Sequence, residues 1–207
     1  TNNAFPELRE SSITGLAVGL YATGRLSAAQ ALAPNKLLEV SISGVDGSER
    51  RDIALVDAVI STDRYLGARA LWKPEELHSV FLAFAEPQAI GLSSIGGLLQ
   101  PVARHAPGGL AIQLARNPQQ RRIGLLAPIA PGMVREIGIK QFEPMPADKP
   151  FEVGLDAGVV ALDGERELAF DAGERVTVTL RENAFFAVDV ARCMHTAAMA
   201  GLFRLSS

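Results

Sequence analysis

The chain has 207 residues, 48% hydrophobic and 21% charged, with a formal net charge of −3. A slightly acidic total argues against a general nucleic-acid or membrane-surface binder, and one cysteine, Cys193, rules out an internal disulfide framework. No apolar run reaches the ~18–20 residues of a membrane span, and the first residues lack the basic-then-apolar form of a signal peptide.

A cytoplasmic protein is therefore expected. Without a methionine at position 1, the chain reads as a processed or truncated product. Thr1-Asn2-Asn3-Ala4-Phe5-Pro6 is a polar cluster that opens into a helix predicted over residues 7 to 23. Ile13, Leu16, Ala17 and Leu20 recur there at helical spacing, and Pro6 sits where a first turn tolerates it. Gly15 and Gly19 form a neighbouring stripe suited to close packing, and Gly24 is a natural stop.

From about Lys36 the texture becomes that of strands. Leu37 to Ile42, Ile53 to Ile60, Val80 to Phe84, Leu110 to Leu114 and Ile123 to Leu126 are short, apolar and bounded by turn formers. Phe151 to Leu155, Val159 to Leu162 and Leu168 to Phe170 continue the series. Arg175 to Arg181 alternates, with Val176, Val178 and Leu180 facing inward. Residues 107–109 and 144–150 read as loops. A last helix is expected after Asp189, with Met194, Ala198 and Leu202 on one face. Many strands at short intervals predict a mainly β, α+β fold: one antiparallel sandwich-like domain over residues 1–207, with a helix at each end.

Four places carry candidate chemistry. Asp57 interrupts a strand that is apolar on both faces, and a buried ionised carboxylate is costly unless paired or hydrogen-bonded. It therefore either faces a polar cleft or sits at a strand end, bonded to a loop or to Arg64. Asp163-Gly164 suits a tight hairpin turn. Asp163, Glu165 and Glu167 crowd that turn, where a carboxylate is able to position a hydroxyl or accept its proton; a solvated hairpin tip is the simpler explanation. Gly91-Leu92-Ser93-Ser94-Ile95-Gly96-Gly97 offers small residues and free N–H groups to an anion, but lacks a complete phosphate-binding fingerprint, and packing glycines account for it too. Pro128-Ile129-Ala130-Pro131-Gly132 reads as a rigid turn. His78, His105 and His195 show no metal-ligand spacing, so no metal site is expected within the chain.

In order, these segments resemble motifs of the NAD kinase and diacylglycerol kinase-like superfamily, closest to its ATP-NAD kinase/acetoin catabolism protein X branch. Thr1 to Pro6 is similar to the end of that branch's Gly-Thr-Asn-Asn-x-Phe-Pro loop. Ala54-Leu55-Val56-Asp57 falls where NAD kinases have Ala-Leu-Asn-Glu. Gly91 to Gly97 is similar to a small-residue segment ending in Gly-Gly, Pro128 to Pro131 to a Pro-Ile-x-Pro turn, and Asp163-Gly164-Glu165 to the Asp-Gly-Glu of lipid kinases. The resemblance implies the C-terminal, acceptor-binding domain of a two-domain ATP-dependent phosphotransferase. The family's Gly-Gly-Asp-Gly-Thr motif, which handles ATP and Mg²⁺, belongs to an N-terminal α/β domain absent from this chain. The resemblance places Asn2 and Asn3 near the nucleotide and Asp57 near the acceptor, with Glu165 and Asp163 as catalytic carboxylates and Ser93 and Ser94 as further contacts. NAD or a related small molecule is the implied acceptor. Val56 stands where NAD kinases carry Asn, which removes a hydrogen-bonding group and keeps a lipid acceptor open, as well as a non-catalytic regulatory module tied to acetoin catabolism. Homo-oligomers are expected by the same resemblance.

Overall fold

Alternating apolar residues carry much of this chain into strands. The computed structural model describes residues 4–5, 10–62 and 76–204, and these hold eleven strands and four α-helices. Asn2, Asn3 and Arg64 lie outside the described residues. The chain divides into two compact units, Thr1–Asn35 with Asn183–Ser207, and Lys36–Glu182. No helix among the described residues is long and apolar enough to cross a membrane.

In the first unit, α1 (Ser11–Ala22) begins later than its sequence periodicity predicts. The Glu10 carboxylate accepts the backbone N–H groups of Ser12 and Ile13 at 3.1 and 2.6 Å and caps the helix there. A short α2 (Ala28–Ala31), unmarked in the hydrophobic pattern, follows through a capping box between Ser27 and Gln30. The expected last helix is present, with Asp189 as its cap accepting the N–H of Arg192. Its buried stripe is Val190, Cys193 and Ala197; Met194 and Leu202 lie at the margin and Ala198 is exposed.

The larger unit is an antiparallel two-sheet structure. Its strands are β1 (Leu32–Ser43), β2 (Glu49–Ala54), β3 (Asp57–Ser61), β4 (Leu77–Leu82), β5 (Gly109–Leu114) and β6 (Ile123–Ala130). Then come β7 (Met133–Met145), β8 (Pro150–Glu152), β9 (Gly158–Leu162), β10 (Arg166–Phe170) and β11 (Arg175–Val188). One sheet has the order β2-β1-β11-β8 and the other β10-β9-β3-β4-β5-β7-β6. Both faces of the larger sheet are covered, which explains why β9 is buried throughout and β3 nearly so. On one face Val59, Leu82, Leu110, Ile112 and Ala161 pack with Ile95 of α3 (Ser93–Leu99). On the other, Phe81 meets Phe151 of β8 edge to face at 6.4 Å. Val176, Val178 and Leu180 are buried, as their alternation predicts.

Three departures from the sequence expectation have physical causes. The run Ile53 to Ile60 is not one strand: β2 and β3 belong to different sheets, and the chain turns a corner at Leu55-Val56. The strand expected to end at Leu126 continues through Pro128 to Ala130, because β6 is the sheet's edge and an edge strand tolerates a missing N–H. The reversal comes only at Pro131-Gly132, with Gly132 at φ 72°. β7 was not marked because only Ile137 and Ile139 alternate as buried apolar residues in its middle, too short a run among Arg135, Glu136, Lys140, Gln141 and Glu143, and because Pro144 reads as a loop residue. Pro144 in fact pairs with Leu110.

Lys36 is an unexpected buried cation. Its ammonium donates to the carbonyls of Ala103, Ala106 and Gly108 at 3.3, 2.7 and 2.7 Å, so all three protons are used. Burial pulls it down to about 8, with Glu182 acting against that shift and Arg104 with it. Glu182 accepts the N–H of Gly108 at 2.6 Å and ties the same loop from the other side. Lys36→Met leaves three carbonyls without a donor and is expected to cost about 2–4 kcal/mol, read as a lower urea midpoint with an unchanged slope.

Candidate functional site

The corner at Leu55 to Asp57 is built by a residue more than a hundred positions away. Asp163 opens the turn between β9 and β10 with φ 54°, and Gly164 follows at φ 69°, so both central residues are left-handed. A short polar side chain tolerates that backbone better than a bulky one. Glu165 closes the turn by donating its N–H to Leu162 at 3.0 Å.

The Asp163 carboxylate then reaches across to β3. It is buried, and it accepts the N–H of Leu55 at 2.9 and 3.0 Å, of Val56 at 2.7 Å and of Asp57 at 3.3 Å. In return the Asp163 N–H donates to the Asp57 carbonyl at 3.0 Å. Successive backbone N–H groups turned toward one anion form a nest. They also satisfy donors that the sheet change would otherwise leave without partners. Arg166 adds a second tie, donating to the Ile53 carbonyl at 2.6 Å and pairing with Asp52. Val56 turns its side chain into the core, and its carbonyl accepts the Ala83 N–H at 2.9 Å. Burial accounts for an apolar residue at this position.

Asp57 is thereby held beside Asp163. Its register partner is Leu82, so it shares the face of Leu82 and Val59 while remaining half-buried. Burial first, and the Asp163 carboxylate second, push its carboxyl up to about 7. It has no hydrogen-bonding side-chain partner among the described residues. The result is a half-buried carboxyl with a raised pKa at the start of a strand.

The other predicted residues fall around this corner in different ways. Glu165 and Glu167 are exposed at and beyond the turn. Gly91 to Gly97 packs closely: a Cβ on Gly96 would meet Leu82 Cδ1 at 2.1 Å, and one on Gly97 the Glu86 carbonyl at 2.2 Å. Ser94 is fully buried and donates its hydroxyl to the Gly91 carbonyl at 2.7 Å, while Ser93 is half-buried. The Gly91 N–H in turn donates to Pro128 at 3.1 Å. Three of the motifs quoted above, Gly91–Gly97, Pro128 and Asp57, are therefore linked through α3 and β4.

A separate cleft of about 120 Å³ opens on the opposite face of the same sheet, lined by Phe81, Ala111, Gln113, Gln141, Glu143 and Phe151 among others. Ser79, Gln113 and Gln141 sit side by side in register, as do Phe81, Ala111 and Glu143, and the small Ala111 leaves the hollow. Nothing in the sequence marks this cleft, because it depends on register between three strands.

A family model for the acetoin catabolism protein X C-terminal domain matches residues 13–183. The chain belongs to that family. Acetoin catabolism protein X of Cupriavidus necator is 54% identical over 204 residues, which are 99% of this chain and 56% of the relative. The chain thus spans little more than half the length of that acetoin catabolism protein X.

Two outcomes test the corner. Asp163→Ala strands the N–H groups of Leu55, Val56 and Asp57 and is expected to cost about 3 kcal/mol or more. Asp163→Asn keeps one acceptor oxygen and the tolerance for positive φ, so its loss in thermal stability should be intermediate. A second outcome concerns pH. Asp57 has a raised folded-state pKa, so between about 4 and 7 the folded chain holds a proton the unfolded chain has released. Stability contributed by this group falls as pH rises through that window. Asp57→Asn should flatten the fall and gain about 1–2 kcal/mol at pH 8, allowing for solvent at a half-buried group, measured by urea unfolding across pH 4 to 8.

Proposed function

We propose that this domain is the acceptor-binding half of an ATP-dependent phosphotransferase resembling NAD kinase, acting on NAD or another small-molecule hydroxyl within acetoin catabolism. The observation that carries the reading is the free carboxyl of Asp57, held near neutrality by burial and Asp163. A group poised near the working pH is suited to general base catalysis. In its ionised form Asp57 accepts the acceptor hydroxyl's hydrogen bond, then its proton, as the oxygen bonds to the γ-phosphorus of ATP and the bond to the bridging oxygen breaks, releasing ADP. Glu165, exposed two residues past Asp163, is the second carboxylate able to serve the acceptor. Asp163 itself acts as a positioning residue, since its oxygens are engaged by backbone N–H groups.

That engagement makes the pair a poor cradle for Mg²⁺, which needs several free oxygen ligands in octahedral array. Among the described residues no three His, Cys, Asp or Glu side chains group to hold a metal. ATP and Mg²⁺ are assigned, by the resemblance, to the part of the longer protein outside this chain, with Asn2 and Asn3 as the residues that the resemblance puts near the nucleotide. Ser93 is the more accessible of the two candidate serines. The named relative points to acetoin as a further acceptor to test, because acetoin carries a secondary hydroxyl.

The test uses the full-length protein with ATP and, in turn, NAD, diacylglycerol and acetoin, following ADP and phosphorylated product. Turnover with one acceptor is expected, half-maximal near pH 7 on the rising limb. Asp57→Asn should lower kcat by roughly 10²–10⁴-fold without lowering the melting temperature. Absence of turnover with all three acceptors overturns the phosphotransferase reading. Saturable binding without turnover favours the regulatory module, a reading supported by the buried Val56 in the place of a hydrogen-bonding residue.

A further inference from the structure

Two strands of the larger sheet each carry an extra residue, and the two extra residues fall at the same level. β4 pairs Ser79 with Ile60 and Leu77 with Ser61, which leaves His78 unopposed. β7 pairs Gln141 with Gln113 and Ile139 with Leu114, which leaves Lys140 unopposed. Ser79, Gln113 and Gln141 form one row across β4, β5 and β7, so both bulges flank the same step of β5. A bulge re-aims side chains, and bulges are frequent beside active sites.

Here His78 joins Ser79 in the wall of the 120 Å³ cleft. Its Nδ1 and the Ser79 hydroxyl lie 3.1 Å apart, and its Nε2 has no partner among the described residues. The amides of Gln113 and Gln141 line the same cleft and are likewise unbonded, as is the half-buried ammonium of Lys140. Burial first, then the charges of Arg116 and Lys140, hold the His78 imidazole below its ordinary value. Sheltered polar side chains usually find partners within the fold. Several without one, around a single hollow, mark a place for a ligand.

The next row along differs in chemistry. Phe81, Ala111 and Glu143 lie side by side, about 7 Å from the first row, with Phe151 edge to face on Phe81. The cleft thus runs from a cationic, donor-rich end to an apolar one. Of the acids at the apolar end, Glu152 pairs with Arg175 at 3.9 Å, while Glu143 has no ion pair among the described residues.

We propose that this cleft binds a short-chain monocarboxylate, its carboxylate against His78, Gln113, Gln141 and Lys140 and its tail over Ala111 between Phe81 and Phe151. Charge-assisted hydrogen bonds hold the head more strongly than neutral ones would. Size agrees: an apolar cavity of about 150 Å³ takes benzene, so 120 Å³ suits about five or six heavy atoms. Glu143 beside the tail repels a second negative charge and selects against dicarboxylates. The site lies on the sheet face away from Asp57 and depends on neither ATP nor phosphoryl transfer.

Ligand-observed NMR titration of the full-length protein, without ATP, tests it with butanoate, 1-butanol, 1-butylammonium and butanedioate. Saturable butanoate binding is expected, at least about tenfold tighter than that of the other three. Lys140→Gln should weaken butanoate about tenfold and leave 1-butanol unchanged. Ala111→Val fills the hollow and should abolish butanoate binding; should it fail to fold, Gln141→Leu, at an exposed position, is expected to weaken butanoate in its place. Absence of butanoate binding overturns the proposal, and so does equal or tighter binding of the alcohol, the ammonium or the dicarboxylate. Butanoate binding that either Lys140→Gln or the cleft-filling variant leaves unchanged belongs to another site and overturns it too.

Discussion

One carboxylate organises the larger unit. Asp163 accepts backbone N–H groups from Leu55, Val56 and Asp57, and its own N–H returns a bond to Asp57. Without that anion the chain would have no partner for three consecutive donors at the point where it leaves one sheet and enters the other. The left-handed turn at Asp163-Gly164 exists to aim this side chain, and Arg166 holds the turn's far side to Ile53. β2, β3, β9 and β10 are fixed to one another by this small set of bonds.

The same arrangement sets two neighbouring carboxyls apart. Placing a second carboxyl, Asp57, beside a carboxylate already committed to the backbone separates two like groups into two roles. Asp163 takes the donors and stays where the corner needs an anion. Asp57 receives burial and like-charge repulsion without compensating hydrogen bonds, and so moves to about 7. Environment, not residue type, distinguishes the aspartate engaged by backbone N–H groups from the one whose pKa is raised. The corner between sheets puts Asp57 at the first position of a strand whose other residues are buried.

Lys36 shows a related economy. Its ammonium collects three carbonyls of residues 103–108, just as Asp163 collects three N–H groups at 55–57. Irregular backbone next to the sheets is thus satisfied from the side chain of a neighbouring strand or turn. Closely packed glycines serve the same end by sterics: Gly96 lets α3 approach the Leu82 side chain, and at Gly97 a Cβ would collide with the Glu86 backbone.

Alternation and turn chemistry, which are local, determined the β-rich class, the inward set Val176, Val178 and Leu180, the cap at Asp189 and the tight turn at Asp163-Gly164. The odd aspartate in an apolar run was visible at Asp57 for the same reason, since a charge at a core-facing position violates the pattern it sits in. What only the folded chain decided depends on residues far apart in sequence. The break between β2 and β3 is set from residue 163, β7 is defined by pairing with β5 and β6, and Lys36 reads as an ordinary lysine until three carbonyls surround it. Periodicity records which side of an element is buried; it carries no record of which distant group will satisfy its backbone.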